Sequence, residues 1–169
     1  MGYYVNGNGH LVIKKENLAA AYEALMALND APDDAKHGGS YSGGGVGKTA
    51  SWFSWMPADL RELADTKAVF EALGFETMDS DGDLVITCYD NKSGQEEVFF
   101  AAAAPFIENG SYEWTGEDSA FWEWEFIDGK MYQRDGVRGY GEAFEVSVPE
   151  LNRQQIEMVR RIEASFGSK

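Results

Sequence analysis

Cysteine, histidine and basic side chains are all scarce in this chain. Its single cysteine, Cys88, can neither close an intrachain disulfide nor build a thiolate zinc site. The two histidines, His10 and His37, are the only imidazoles available for general-base work. No nucleophile elbow, Cys–His pairing or zinc-protease spacing accompanies them. Nothing approaches ~18 uninterrupted apolar residues, so no membrane-spanning helix is expected. The opening residues, Met1 to Gly7, lack the basic region and apolar core of a secretory signal. Lys and Arg number 14 against 29 Asp and Glu, a formal charge of −15. A field of that sign repels nucleic acid and anionic membranes and attracts basic surfaces and cations. These absences lead us to expect a reduced, intracellular protein that is not an enzyme, holds no cofactor or metal, and binds neither nucleic acid nor membrane.

What remains is ample for folding. Of 169 residues, 44% are hydrophobic and 14% aromatic, which excludes a disordered chain. A chain of this length buries roughly 70% of the surface exposed when unfolded and needs no staple. One domain over 1–169 is expected. Its acidity is segregated: residues 76–128 carry fourteen acids against Lys92 alone, whereas the rest of the chain is nearly balanced.

Periodicity and turn residues give an outline. Tyr3–Val5 and His10–Ile13 flank Asn6-Gly7-Asn8-Gly9, whose Asn-Gly steps signal a hairpin. Apolar side chains at helical spacing follow over 16–29. Between 30 and 54 the pattern dissolves into a long Gly-rich loop, longer than compact domains usually carry. Pro57 opens a helical stretch that Gly74 stops and that Asp65-Thr66 can divide in two. Phe75–Asp79 and Leu84–Tyr89 pair across Asp81-Gly82 as a hairpin. Ser93-Gly94-Gln95-Glu96 fits a capping box before a short buried helix ended by Pro105. Strands are expected near Tyr112–Thr115, Ala120–Ile127 and Lys130–Arg134, the last two joined at Asp128-Gly129, and another at Phe144–Ser147. A helix opened by Pro149, with Ile156 among its inward residues, ends the chain. The fold class is therefore α+β: a mainly antiparallel sheet packed by about four helices.

Several motifs invite chemistry and fall short of it. Ser42-Gly43-Gly44-Gly45-Val46-Gly47-Lys48-Thr49 lacks the first glycine of a phosphate-binding loop, the strand before it and the helix after it. It reads as a flexible glycine loop. Asp79-Ser80-Asp81-Gly82-Asp83 has its glycine two places early for a calcium loop and reads as a hairpin tip. Glu123 and Glu125 stand on one strand face, about 6.5 Å apart by strand rise. Such a separation suits a glycosidase, but adjacent surface acids are ordinary on an amphipathic strand.

The aromatic residues carry more. Trp122, Trp124 and Phe126 share one strand face, and Phe121, Glu123, Glu125 and Ile127 share the other. The first face belongs to the core, and part of it can line a pocket with Tyr112 and Trp114 that stacks on a planar ligand. Trp52, Phe53 and Trp55, bordering the long loop, are placed to close that pocket as exposed binding groups. Glu113, Glu117 and Asp118 are candidates for contact with a basic partner.

Gly110–Asp118, with its Tyr112-Glu113-Trp114, and the continuation Trp122–Tyr132 resemble a pattern in small uncharacterised proteins of actinobacterial phages. Leu73-Gly74-Phe75-Glu76 and Gly94-Gln95-Glu96-Glu97 extend the likeness over about 55–132. The resemblance implies a phage origin and a host-cytoplasmic setting, with no activity attached. Taken together, these readings favour a non-enzymatic binding protein, occupying a host protein or a small defence-related ligand. An acidic DNA mimic that blocks a host DNA-binding protein and a virion or assembly component are the alternatives.

Overall fold

A computed structural model describes residues 3–38, 40–41, 49–137, 139, 155–158 and 160–161, with the side chains of 40, 41 and 49 left out. The chain divides into two compact units, Met1–Val137 and Arg138–Lys169. The first contains strands β1 (Tyr4–Gly9), β2 (Leu11–Ile13), β3 (Ser40–Tyr41), β4 (Thr49–Ala50), β5 (Phe75–Ser80), β6 (Asp83–Lys92), β7 (Gly110–Gly116), β8 (Phe121–Ile127) and β9 (Lys130–Asp135). Its α-helices are α1 (Leu18–Met26), α2 (Thr66–Leu73) and α3 (Glu96–Ala103). The architecture is α+β.

Seven of the strands form one sheet in which every pairing is antiparallel, in the order β5, β6, β1 with β2, β7, β8, β9. Two-residue turns join β5 to β6 and β8 to β9. Asp81 and Gly82 have φ of 57° and 92°, Asp128 and Gly129 have 50° and 74°, and this is the positive-φ geometry that tight hairpins demand. The helix expected after Pro57 is divided as the sequence allowed. A 3₁₀ turn spans Leu60–Glu62, and Asp65 then caps α2 by accepting from Ala68 N at 2.8 Å. Gly74 ends α2 in the left-handed region, φ 111°. The run after Gln95 is helical, as expected, with Pro105 in the 3₁₀ turn that follows it.

The first expected hairpin does not form. Asn6 to Gly9 belong to β1, which lies between β6 and β7: Gly7 stands opposite Tyr89 on one side and Trp114 on the other. β1 and β2 run along the same edge of β6, and the register moves by one residue between Gly7 and Leu11. The glycines serve here through their missing side chains. A Cβ on Gly7 would sit 2.5 Å from Tyr112 Cε1, and one on Gly9 2.4 Å from Tyr112 Cδ2. Glycine within a strand marks such close approaches.

The core joins the helices to one face of the sheet. Leu25, Val69, Phe70, Phe99 and Phe100 are buried with Phe75, Tyr89, Tyr112, Trp114, Trp124 and Phe126. Phe100 touches both halves, its ring centroid 5.0 Å from Phe75 and 5.3 Å from Trp124. On the opposite sheet face Glu113, Glu123, Glu125 and Ile127 alternate with these core residues, as the strand period requires.

In the second unit Gln155–Met158 and Arg160–Arg161 are helical, with Arg161 paired to Glu157 at 2.6 Å. Ile156, read as inward, is exposed. The strand expected at Phe144–Ser147 lies outside the described residues, as does Ser42–Lys48 of the glycine loop. The residues flanking that loop pair as β3 and β4, Ser40 opposite Ala50. Among the described residues no helix is long and apolar enough to cross a membrane.

Candidate functional site

Two of the three loop aromatics are core residues, contrary to the expectation of exposed binding groups. Trp52 and Phe53 are 5% and 2% exposed, whereas Trp55 is 43% exposed. The cause is the neighbouring helix. Phe99 of α3 meets Trp52 edge-on at 5.8 Å and Phe53 at 6.0 Å, so the loop's last residues cover an apolar face that water would otherwise meet. Hydrogen bonds from the backbone and from Gln95 hold the segment in place. Gly38 N donates to Ser51 O at 2.9 Å, His37 N donates to the Gln95 side-chain oxygen at 2.7 Å, and Gln95 Nε2 donates to Ala35 O at 2.9 Å.

The acidic candidates are dispersed. Glu113 is exposed in mid-strand, directly opposite Glu123. Glu117 and Asp118 lie in the turn that follows, where Asp118 accepts from the Tyr3 hydroxyl and from Ala120 N. That bond lowers the Asp118 carboxyl and pushes the Tyr3 phenol up to about 12. Asp118 is thus committed within the fold. Glu125 likewise pairs with Arg134, which leaves Glu123 and Glu125 in unequal surroundings. The Asp79–Asp83 turn is also satisfied internally: Asp79 accepts from Gly82 N, and Asp83 from Lys14 Nζ and Lys15 N. Among the described residues no three His, Cys, Asp or Glu side chains gather to hold a metal.

An aromatic cavity does form, from a different set of partners. About 350 Å³ lies among Trp114, Trp122, Trp124, Glu96, Glu97 and Gln133. Trp114 and Trp122 are opposed residues of β7 and β8, and their rings are parallel within 7° at a centroid separation of 5.9 Å. Trp124 meets Trp114 at 4.7 Å and 62°. It donates its indole N–H to Gln133 Oε1 at 3.1 Å, which fixes the orientation of that amide. Trp122 is only half-buried, in contrast to Trp114 and Trp124. Tyr112 is fully buried and lies outside this lining; burial raises its phenol. The Tyr112 hydroxyl and the Trp52 and Trp114 indole nitrogens find no hydrogen-bond partner among the described residues.

Carboxylates at the start of α3 complete the cavity. Glu96 is 2% exposed and accepts from Gly94 N at 2.9 and 3.0 Å and from Tyr89 Oη at 2.7 Å. The capping box therefore closes in altered form. Glu96 reaches back to Gly94, while the residue at the cap, Gln95, makes no side-chain bond to the helix. Gly94 must be glycine, since a Cβ there would lie 2.2 Å from Phe53 Cε1. Phe53 thus backs the cavity wall instead of closing its mouth. Glu97 is exposed over part of its surface, yet its carboxyl is raised, first by desolvation and then by the charge of Glu96.

Of the sequence candidates, Trp114 lines this cavity together with Trp122 and Trp124 of the expected aromatic face, whereas Tyr112, Trp52, Phe53 and Trp55 do not. Trp122 and Trp124 were legible as one aromatic face, but Glu96, Glu97 and Gln133 were not foreseen as a site. The arrangement offers flat apolar walls, two carboxylates and an amide, which suit binding and orientation. Comparison with protein-family models, curated proteins and solved structures finds no match.

Proposed function

We propose that the chain is a non-enzymatic binding protein of phage type, acting in the host cytoplasm by engaging a small planar ligand or a planar group on a host protein. The cavity beside the Trp114–Trp122 pair carries this reading. Flat rings presented in parallel, one of them half-buried, offer a stacking surface, and offset stacking contributes about 0.5–1.5 kcal/mol beyond the area buried. Protein recovered from host lysate and examined by native mass spectrometry should carry a ligand, or a partner, that Trp122→Ala fails to retain. Equal recovery by Trp122→Ala and the parent would refute the assignment of the cavity.

A second reading, the acidic DNA mimic, draws on the other sheet face, where Glu113 opposes Glu123 in register. Like charges directly opposite one another are destabilising, and a basic partner would relieve that repulsion. Its test is salt. Capture of a DNA-binding protein that weakens steeply between low and high ionic strength, and survives Trp122→Ala, would favour this face over the cavity.

A further inference from the structure

We infer that the occupant of the tryptophan cavity carries a planar, delocalised cation of the amidinium or guanidinium class. The inference rests on the reading above that the cavity takes a planar group, and it adds the charge. Among the described residues the lining contains two carboxylates and no basic side chain. The N-terminal end of α3 contributes about half a positive charge. Glu96, bound to Gly94 N and buried, offsets that half charge, and Glu97 makes no ion pair among the described residues. Lys92, a cation close in sequence, is placed over the Tyr4 ring at 5.8 Å. His37, which favours the charged form of Glu97, is outside the lining.

The walls agree with the charge. The faces of Trp rings bear negative partial charge and attract cations within about 6 Å of the ring centre, Arg-like groups most often. A planar cation can lie against Trp122 while donating N–H groups to Glu97, a bidentate geometry open to amidinium and guanidinium and closed to a point-charge ammonium. The side-chain oxygen of Gln133 already accepts from Trp124, and the charged acceptor that the cavity offers such a donor is carboxylate. The Glu97 carboxyl, raised by desolvation, is a group whose charged form a bound cation would stabilise.

The test uses two probes of nearly equal shape, benzamidine and benzamide, titrated into the full chain by calorimetry. Benzamidine should bind at least tenfold more tightly, and Glu97→Gln should abolish most of that ratio while leaving the thermal melt unchanged. The tripeptide Gly-Arg-Gly separates the sources of the cation. Affinity for it places the cation on a protein arginine, and affinity for benzamidine alone places it on a free small molecule. Equal binding of benzamidine and benzamide would overturn the cation and leave the planar reading intact. Binding of neither would overturn both. A ratio that survives Glu97→Gln would overturn the role given to that carboxylate.

Discussion

Gly7 provides the sharpest test of the fold. An Ala there would place its Cβ 2.5 Å from Tyr112 Cε1, 2.9 Å from Trp114 Cζ3 and 3.0 Å from Trp114 Cε3, where ordinary carbon contacts need about 3.5–4.0 Å. Retreat of about 1 Å is required of both rings, and neither has room. Tyr112 is wholly buried, and Trp114, 1% exposed, is held by Tyr89 at 5.3 Å, Trp124 at 4.7 Å and Trp122 at 5.9 Å. The strand cannot give instead, because Gly7 pairs with β6 on one side and β7 on the other. Overpacking of this kind costs about 1–3 kcal/mol, and contacts so short argue for the upper end. Loss of glycine's freedom in the unfolded chain returns up to about 1 kcal/mol. Gly7→Ala should therefore cost about 2 kcal/mol, a fall of about 4–8 °C in Tm at 2–4 °C per kcal/mol for a chain of this size. Urea and thermal unfolding measure it. A turn glycine with positive φ would also object to Ala, but without reference to residue 114. In a Trp114→Phe background the cost should shrink, since the smaller ring leaves space, and a double-mutant cycle isolates that coupling. A Gly7→Ala cost within about 0.5 kcal/mol of zero, or one unaltered by Trp114→Phe, would refute the packing argument.

Two further outcomes follow from burial and charge. Trp52→Ala should cost about 3–5 kcal/mol, because transfer energy is lost and a cavity opens against Phe99, whereas Trp55→Ala at a 43%-exposed site should cost clearly less; equal losses in urea unfolding would contradict the burial described. Asp83 is lowered by the Lys15 N–H at 2.9 Å and by Lys14 Nζ at 3.0 Å. Its folded pKa is below its unfolded value near 3.9, so its contribution is present above that value and fades as pH falls through the folded one. Asp83→Asn should lower Tm at neutral pH and flatten the acid limb below about pH 4; superimposable Tm–pH curves would disprove the linkage.

The same residue types were legible in one place and misleading in another, and the reason is physical. Asp81-Gly82 and Asp128-Gly129 declare their turns because two adjacent residues supply the positive φ that the hairpin needs, and their partners stand immediately on either side. Asn6-Gly7-Asn8-Gly9 presents a similar signal for another purpose. What matters there is the absence of Cβ beneath Tyr112 and Trp114, residues on a strand far along the chain, so local pattern cannot reveal it. Trp52 and Phe53 are misread for a related reason. A glycine-rich neighbour suggests exposure, but burial is decided by Phe99 across the fold.

The cavity combines both kinds of information. Alternation along β8 placed Trp122 and Trp124 on one face, and pairing with β7 adds Trp114 to it; that half was within reach of the sequence. Glu96 and Glu97 were visible only as helix-start residues, where an acid has an adequate local explanation. The local explanation accounts for Glu96, whose carboxylate is occupied by Gly94 N and Tyr89. Glu97, the next residue, meets its own backbone N–H, but its carboxyl also shares the cavity lining with the tryptophans and has its charge disfavoured by desolvation and by Glu96. One acid at the start of α3 is thus occupied by the fold's own hydrogen bonds, and the other is the exposed carboxylate of the cavity lining.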